Sequence, residues 1–158
     1  MPEKNLLLGA ARCHAPREVA RIPTIKGVMT PFPHIVEGSE TLSAARDAMA
    51  SKGVNHLPVM HQGALAGVLT RRELDVGMML GADSTTVWDV CLRDPVVVDL
   101  NDRLDRVALR LSERRLGVAI VTREEKVVGI ITPTDVCRLW GEALRELAGV
   151  DDGDGDVA

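Results

Sequence analysis

Tyrosine is absent from this 158-residue chain, and Phe32, Trp88 and Trp140 are its only phenyl or indole side chains. So few rings cannot build the stacking platform on which a single-strand nucleic-acid binder lays its bases. A basic excess is missing as well. Residues 151–156 hold four of the 23 acids, which leaves 19 acids against 19 Lys and Arg in residues 1–150. Nucleic-acid affinity rests on neutralising phosphates, so this balance excludes a dedicated binder. No apolar run approaches the roughly 20 residues of a membrane-crossing helix. The early patch at residues 6–11 follows Glu3 and Lys4 rather than a basic leader, and is shorter than a secretory core of about 7–15 residues.

Cysteine is scarce too. Cys13, Cys91 and Cys137 are widely spaced with no C-x-x-C, which fits a reducing compartment and provides no zinc framework. A cytoplasmic location is expected. His14, His34, His56 and His61 share no ligand spacing, so no metal site is expected. There is no G-x-S-x-G elbow and no Cys–His arrangement, so no enzyme is expected. What remains is an ordinary globular composition, 46% hydrophobic and 27% charged. The length suits one domain, or two small halves that share a core.

The chain repeats itself. Shifted by 62 positions, residues 28–74 align with 90–136 without a gap. Identities fall at Val28/Val90, Pro33/Pro95, Val36/Val98, Leu42/Leu104, Val59/Val121, Gly67/Gly129 and Thr70/Thr132. Each half reads as strand, helix, strand, strand, helix. The first strand is Ile35-Val36 or Val96 to Val98. The helix that follows carries Leu42, Ala45 and Met49 in one half and Leu104, Val107, Ala108 and Leu111 in the other. Two strands around a polar turn come next, at His61-Gln62-Gly63 and Arg123-Glu124-Glu125. A lone His61 in such a turn reads as a solvated residue.

The closing helix of the second half carries Val136, Leu139, Trp140, Ala143, Leu144 and Leu147 at helical spacing. Such a stripe is expected to be core, with length to spare for a second subunit. Met49, Met78 and Met79 read as packing residues, Cys137 as a buried thiol, and Arg110 with Glu113, Arg114 and Arg115 as a solvated face. Residues 1–24 form a leader with a short helix near Pro16 to Ala20. The acidic, Gly-rich end, from residue 149 onward, is expected to be disordered.

The sharpest motif occurs twice, as Gly67-Val68-Leu69-Thr70-Arg71-Arg72-Glu73 and Gly129-Ile130-Ile131-Thr132-Pro133-Thr134-Asp135. Thr followed three residues later by an acid, with Pro133 at the first helical position, is a helix-start signature. The same start offers free N–H groups and partial positive charge to a phosphate, while a carboxylate one turn in can accept hydrogen bonds from two ribose hydroxyls. One helix start can serve both purposes.

The unit resembles a cystathionine-β-synthase (CBS) domain, and the tandem resembles a CBS pair, or Bateman module. Val28-Met29-Thr30-Pro31 at the entrance, Asn55-His56-Leu57-Pro58-Val59 before the hairpin and the two Gly-x-x-Thr-x-x-acid motifs carry the resemblance, over roughly residues 25–145. It implies an α/β (α+β) fold of two pseudo-symmetric β-α-β-β-α units, 25–82 and 83–148, packed sheet to sheet. It also implies a homodimeric regulatory module that binds adenosine-containing ligands (AMP, ADP, ATP or S-adenosylmethionine), needs no obligatory cofactor and signals to a separate protein. In one cleft the family pattern maps onto Thr132, Thr134 and Asp135, completed by His34, Val54 and Asn55. In the other it maps onto Thr70, Arg72 and Glu73, with His56 near the phosphate and Val96, Leu116 and Gly117 on the wall. Glu73 departs from the usual Asp, and Gly117-Val118 replaces a polar or basic pair, so the Asp135 cleft is expected to be the better nucleotide site. A CBS-fold adaptor that contacts proteins and binds no nucleotide is the alternative.

Overall fold

A computed structural model describes residues 22–81, 85–114 and 117–149. After a 3-10 turn at Ile25–Gly27 come β1 (Thr30–Pro31), β2 (Val36–Glu37), α1 (Leu42–Lys52), β3 (His56–His61), β4 (Ala64–Thr70) and α2 (Arg71–Gly81). The second half follows with α3 (Val87–Val90), β5 (Leu92–Arg93), β6 (Val96–Asp99), α4 (Leu104–Arg114), β7 (Ala119–Arg123), β8 (Lys126–Ile131) and α5 (Pro133–Ala148). The expected leader helix near Pro16 to Ala20, the acidic end from residue 150 onward and Leu116 lie outside the described residues.

Local chemistry sets the boundaries. The Thr41 hydroxyl accepts from the Ala44 N–H at 3.2 Å to open α1, and Gly53, at φ 65°, closes it in the left-handed region. The 62-residue shift carries α1 onto α4 end to end, with Leu42, Ala45 and Met49 buried in one and Val107 and Leu111 in the other. Both hairpins turn on two positive-φ residues, Gln62-Gly63 (53° and 80°) and Glu124-Glu125 (49° and 65°). That backbone matches the twist of the flanking strands.

Two four-stranded sheets result, in the orders β2-β3-β4-β5 and β1-β8-β7-β6. Here the two halves, expected to share a core, also exchange strands. The two-residue strand at the entrance of each repeat pairs with the other repeat: β1 lies antiparallel to β8, and β5 antiparallel to β4. The exchange reaches the cores. Ile25 is buried among residues of the second half, while Val87 and Cys91 are buried among those of the first. Backbone bonds repeat the crossing, with the Ile25 N–H donating to the Asp102 carbonyl and the Val87 N–H to the Glu40 carbonyl, both at 2.9 Å.

This crossing explains the glycine of the repeated motif. A Cβ on Gly67 would stand 2.7 Å from the carbonyl oxygen of Leu92 in β5. On Gly129 it would collide with the Met29 sulfur and lie 3.1 Å from the Thr30 carbonyl oxygen. Each glycine admits the strand lent by the other half. A third apolar cluster joins the sheets: Val68, Val118, Ile120 and Ile130 are buried, with Leu65, Leu92 and Val127 against them. The units therefore pack sheet to sheet.

Four expectations need correction. No residue of α5 is buried; Trp140 is 62% exposed, and Leu144 and Leu147 are also on the surface. Periodicity identifies an apolar face but not what covers it. Met79 is 88% exposed beside Val76 and Leu80 on α2, so it is not a packing residue. Cys137 is exposed, because α5 turns that side outward. His61 is not a solvated turn residue: it ends β3 and stacks on Trp88, ring centroids 4.0 Å apart, with the Arg93 guanidinium 4.4 Å from the indole ring centroid.

Candidate functional site

The two helix starts are built alike but wired differently. At α5, one carboxylate oxygen of Asp135 accepts from the Thr132 N–H at 2.8 Å and from the Thr132 hydroxyl at 2.7 Å. The Asp135 N–H returns a bond to that hydroxyl at 3.3 Å. This is a reciprocal capping box with Pro133 behind it. Both bonds to the carboxylate use Oδ2, and none among the described residues reaches Oδ1. At α2, the Thr70 hydroxyl donates to the Glu73 carboxylate. Neither backbone bond of a capping box forms there, from the Thr70 N–H to the carboxylate or from the Glu73 N–H to the hydroxyl, so only the side-chain contact remains.

Two cavities flank the seam between the sheets, related by the 62-residue shift. The larger, about 390 Å³, is lined by Thr30, Phe32, Pro33, His34, Ile35, Lys52, Val54, His56 and Ile130. The smaller, about 90 Å³, is lined by Val68, Thr70, Leu92, Arg93, Asp94, Pro95, Val96, Gly117 and Val118. The structure thus brings His34, Val54 and His56 to one wall, and Thr70, Val96 and Gly117 to another. Asn55, Thr132, Thr134 and Asp135 line neither cavity, and nor do Arg72 and Glu73. Thr134 and Asn55 are exposed, as is Arg72 at the start of α2.

His56 connects these parts. Burial pushes its pKa below the ordinary histidine value, while the Asp135 carboxylate, and then that of Glu73, pull it back up. The imidazole thus feels the acids of both motifs. Its Nε2 lies 3.6 Å from where a Cβ on Gly117 would stand, next to the smaller cavity. Lys52, Phe32 and Ile35 also line the larger cavity and were not singled out by sequence reasoning. Lys52 ends α1, where a basic residue reads as a favourable helix terminus. Only its place beside the incoming chain at 30–35 gives it a second meaning.

The largest cavity, about 460 Å³, lies elsewhere, between α4 and α5, lined by Ala108, Leu111, Ser112, Gly117, Pro133, Val136 and Cys137. Among the described residues, no group of three His, Cys, Asp or Glu is placed to hold a metal. No described helix is long and apolar enough to cross a membrane.

Comparison with known proteins decides the family. The family model of the CBS domain matches residues 25–75 and again 87–142. The chain belongs to the CBS domain family. L-aspartate semialdehyde sulfurtransferase of Methanocaldococcus jannaschii is 26% identical over 122 residues, 76% of this chain but 24% of that protein. This CBS pair therefore spans about a quarter of the length of the first curated relatives it matches, whose enzyme names belong to longer proteins. Hypoxic response protein 1 of Mycobacterium tuberculosis is 29% identical over 119 residues, 73% of this chain and 83% of that one. Among solved structures, a CBS domain pair in complex with 5′-methylthioadenosine and S-adenosyl-L-methionine superposes with a TM-score of 0.70 at 23% identity, covering 78% of this chain and 99% of that one. CBSX2 in complex with AMP gives 0.64 at 26% identity, covering 77% and 98%.

Proposed function

We propose that this CBS pair is a regulatory module that binds an adenosine-containing ligand in the larger cavity and passes the signal to a partner protein. The observation that carries this is the 390 Å³ cavity whose wall residue His56 feels the Asp135 carboxylate, within the range of small-molecule sites. The AMP complex of a 26%-identical CBS protein supports it. Ile35, Val54, Ile130 and Phe32 offer the purine an apolar wall. The free Oδ1 of Asp135 would take the ribose hydroxyls, with Thr132, Thr134, His34 and Asn55 around the remainder. The Thr70, Arg72, Glu73, Val96, Leu116 and Gly117 cleft is the weaker site, its cavity being only about 90 Å³, and His56, expected there, lines the larger cavity instead. The units run from 25 to 82 and from 83 to 148.

A ligand held between the halves favours one relative arrangement over another, which is a population shift rather than catalysis. The module acts in the cytoplasm as a homodimer. Val76, Met79 and Leu80 on α2, with Trp140, Leu144 and Leu147 on α5, supply apolar surface for the second copy. An adaptor that binds no nucleotide is the second reading, favoured by the engagement of Asp135 in its own capping box.

Calorimetric titration with AMP separates the two. The Asp135→Asn variant is expected to weaken binding by about 10- to 100-fold. Absence of binding by AMP, ADP, ATP and S-adenosylmethionine to the unmodified protein would leave the adaptor.

A further inference from the structure

The two cavities differ most in charge. Lys52, His34 and His56 line the larger one, and no acid lines it. Among the described residues Lys52 makes no ion pair, and neither His34 nor His56 makes a hydrogen bond. The 62-residue shift turns each of these groups into something inert in the second half. His34 becomes Val96 and His56 becomes Val118, both apolar wall. Lys52 becomes Arg114, which is paired with Asp94 at 3.6 Å, and Asp94 itself stands in for Phe32. The smaller cavity keeps one cation, Arg93, but its guanidinium is engaged over the Trp88 ring and on the Trp88 carbonyl, beside Asp94.

We infer that the larger cavity selects a ligand carrying a phosphate, and discriminates against the cationic sulfonium of S-adenosylmethionine. This rests on the adenosine reading above and names the ligand class within it. Lys52 supplies a fixed positive charge with no carboxylate to satisfy it. His34 and His56 supply ring N–H donors, and a phosphate held against His56 adds to the pull of the nearby carboxylates toward its protonated form. A sulfonium in the same place meets like charge, with nothing on the wall to compensate. Asp135 and Glu73 are the acids that face His56, from α5 and α2. Neither lines the cavity, and both are bonded to their own threonines, so the wall itself offers the sulfonium no carboxylate.

Calorimetry with adenosine, AMP and S-adenosylmethionine at low salt tests this, on the unmodified protein and on the Lys52→Gln and His56→Asn variants. AMP is expected to bind at least about tenfold tighter than adenosine, and S-adenosylmethionine more weakly than either. Lys52→Gln is expected to reduce the affinity for AMP by about tenfold while leaving adenosine within about twofold. The preference for AMP is expected to shrink as pH rises from 6 to 8, and His56→Asn to flatten that profile beyond the titration of the phosphate itself. Binding of S-adenosylmethionine as tight as AMP, or an equal loss for AMP and adenosine in Lys52→Gln, overturns the charge assignment and leaves the adenosine site standing. If no adenosine compound binds at all, the site itself is wrong, and the inference falls with it.

Discussion

The two repeats share a backbone plan and differ in what they place on it. Every strand and helix of one has its partner 62 residues away, down to the bulge after Val59 and after Val121. Yet the helix start at Thr132 forms a complete capping box while that at Thr70 keeps only a contact between the hydroxyl and the carboxylate. The cavities differ about fourfold in volume, and the larger gathers Lys52 and two histidines with no acid on its wall, while the smaller sets Arg93 beside Asp94. Duplication conserves the fold through burial and glycine placement, because these are shared constraints. It leaves the cavity walls free to diverge, because few wall side chains hold up the core.

The shared constraint is tested most severely at the two glycines. Gly67→Ala drives a methyl against the backbone of β5, and urea unfolding is expected to show a loss of about 2–3 kcal/mol. Gly129→Ala meets chiefly the side chain of Met29, which can move, so a smaller loss is expected. Equal losses would mean that the crossings are not as different as their contacts. The helix starts come next. Thr132→Ala removes both bonds of the hydroxyl, leaving the backbone N–H on Asp135, and is expected to cost about 1–2 kcal/mol, whereas Thr70→Ala removes one hydroxyl contact and is expected to cost about half as much.

The hairpins allow a gain rather than a loss. Gly63 occupies its positive-φ position freely, but Glu125 holds the matching one at 65° with a side chain. Glu125→Gly is expected to raise stability by up to about 1 kcal/mol, read from the denaturation midpoint. The smallest effect is that of pH. Burial lowers the pKa of His56 below 6.5, so the unfolded chain binds the proton more readily than the folded one. Stability is therefore expected to fall on acidification through the window below pH 6.5. His56→Gln is expected to remove that slope.

Much of this was legible in the sequence, and the omissions have physical causes. The apolar spacing of Leu42, Ala45 and Met49, and of Val107 and Leu111, marks α1 and α4, because a buried helical stripe repeats over several turns. The strands β1 and β5 are two residues long, too short for alternation to register, so their exchange was invisible. The stripe on α5 was visible, but periodicity is the same whether an apolar face meets a core or another molecule. The cavity histidines His34 and His56 were found through the family pattern. Lys52 was not, since its partners in the cavity come from a segment some twenty residues earlier. The signal that would have found it is a comparison of residues 62 apart, where Phe32 faces Asp94 and Lys52 faces Arg114.

The lent strands bear on what would happen if the backbone were severed between Gly81 and Thr85. The piece before the cut carries β1 for the sheet of the other, and the piece after it carries β5 and α3 for the sheet of the first. Each fragment would be left with an open sheet edge that only its counterpart fits. A nicked chain is thus expected to stay clasped and to migrate as one particle, and separately prepared fragments to seek each other out. Neither fragment is a miniature of the whole.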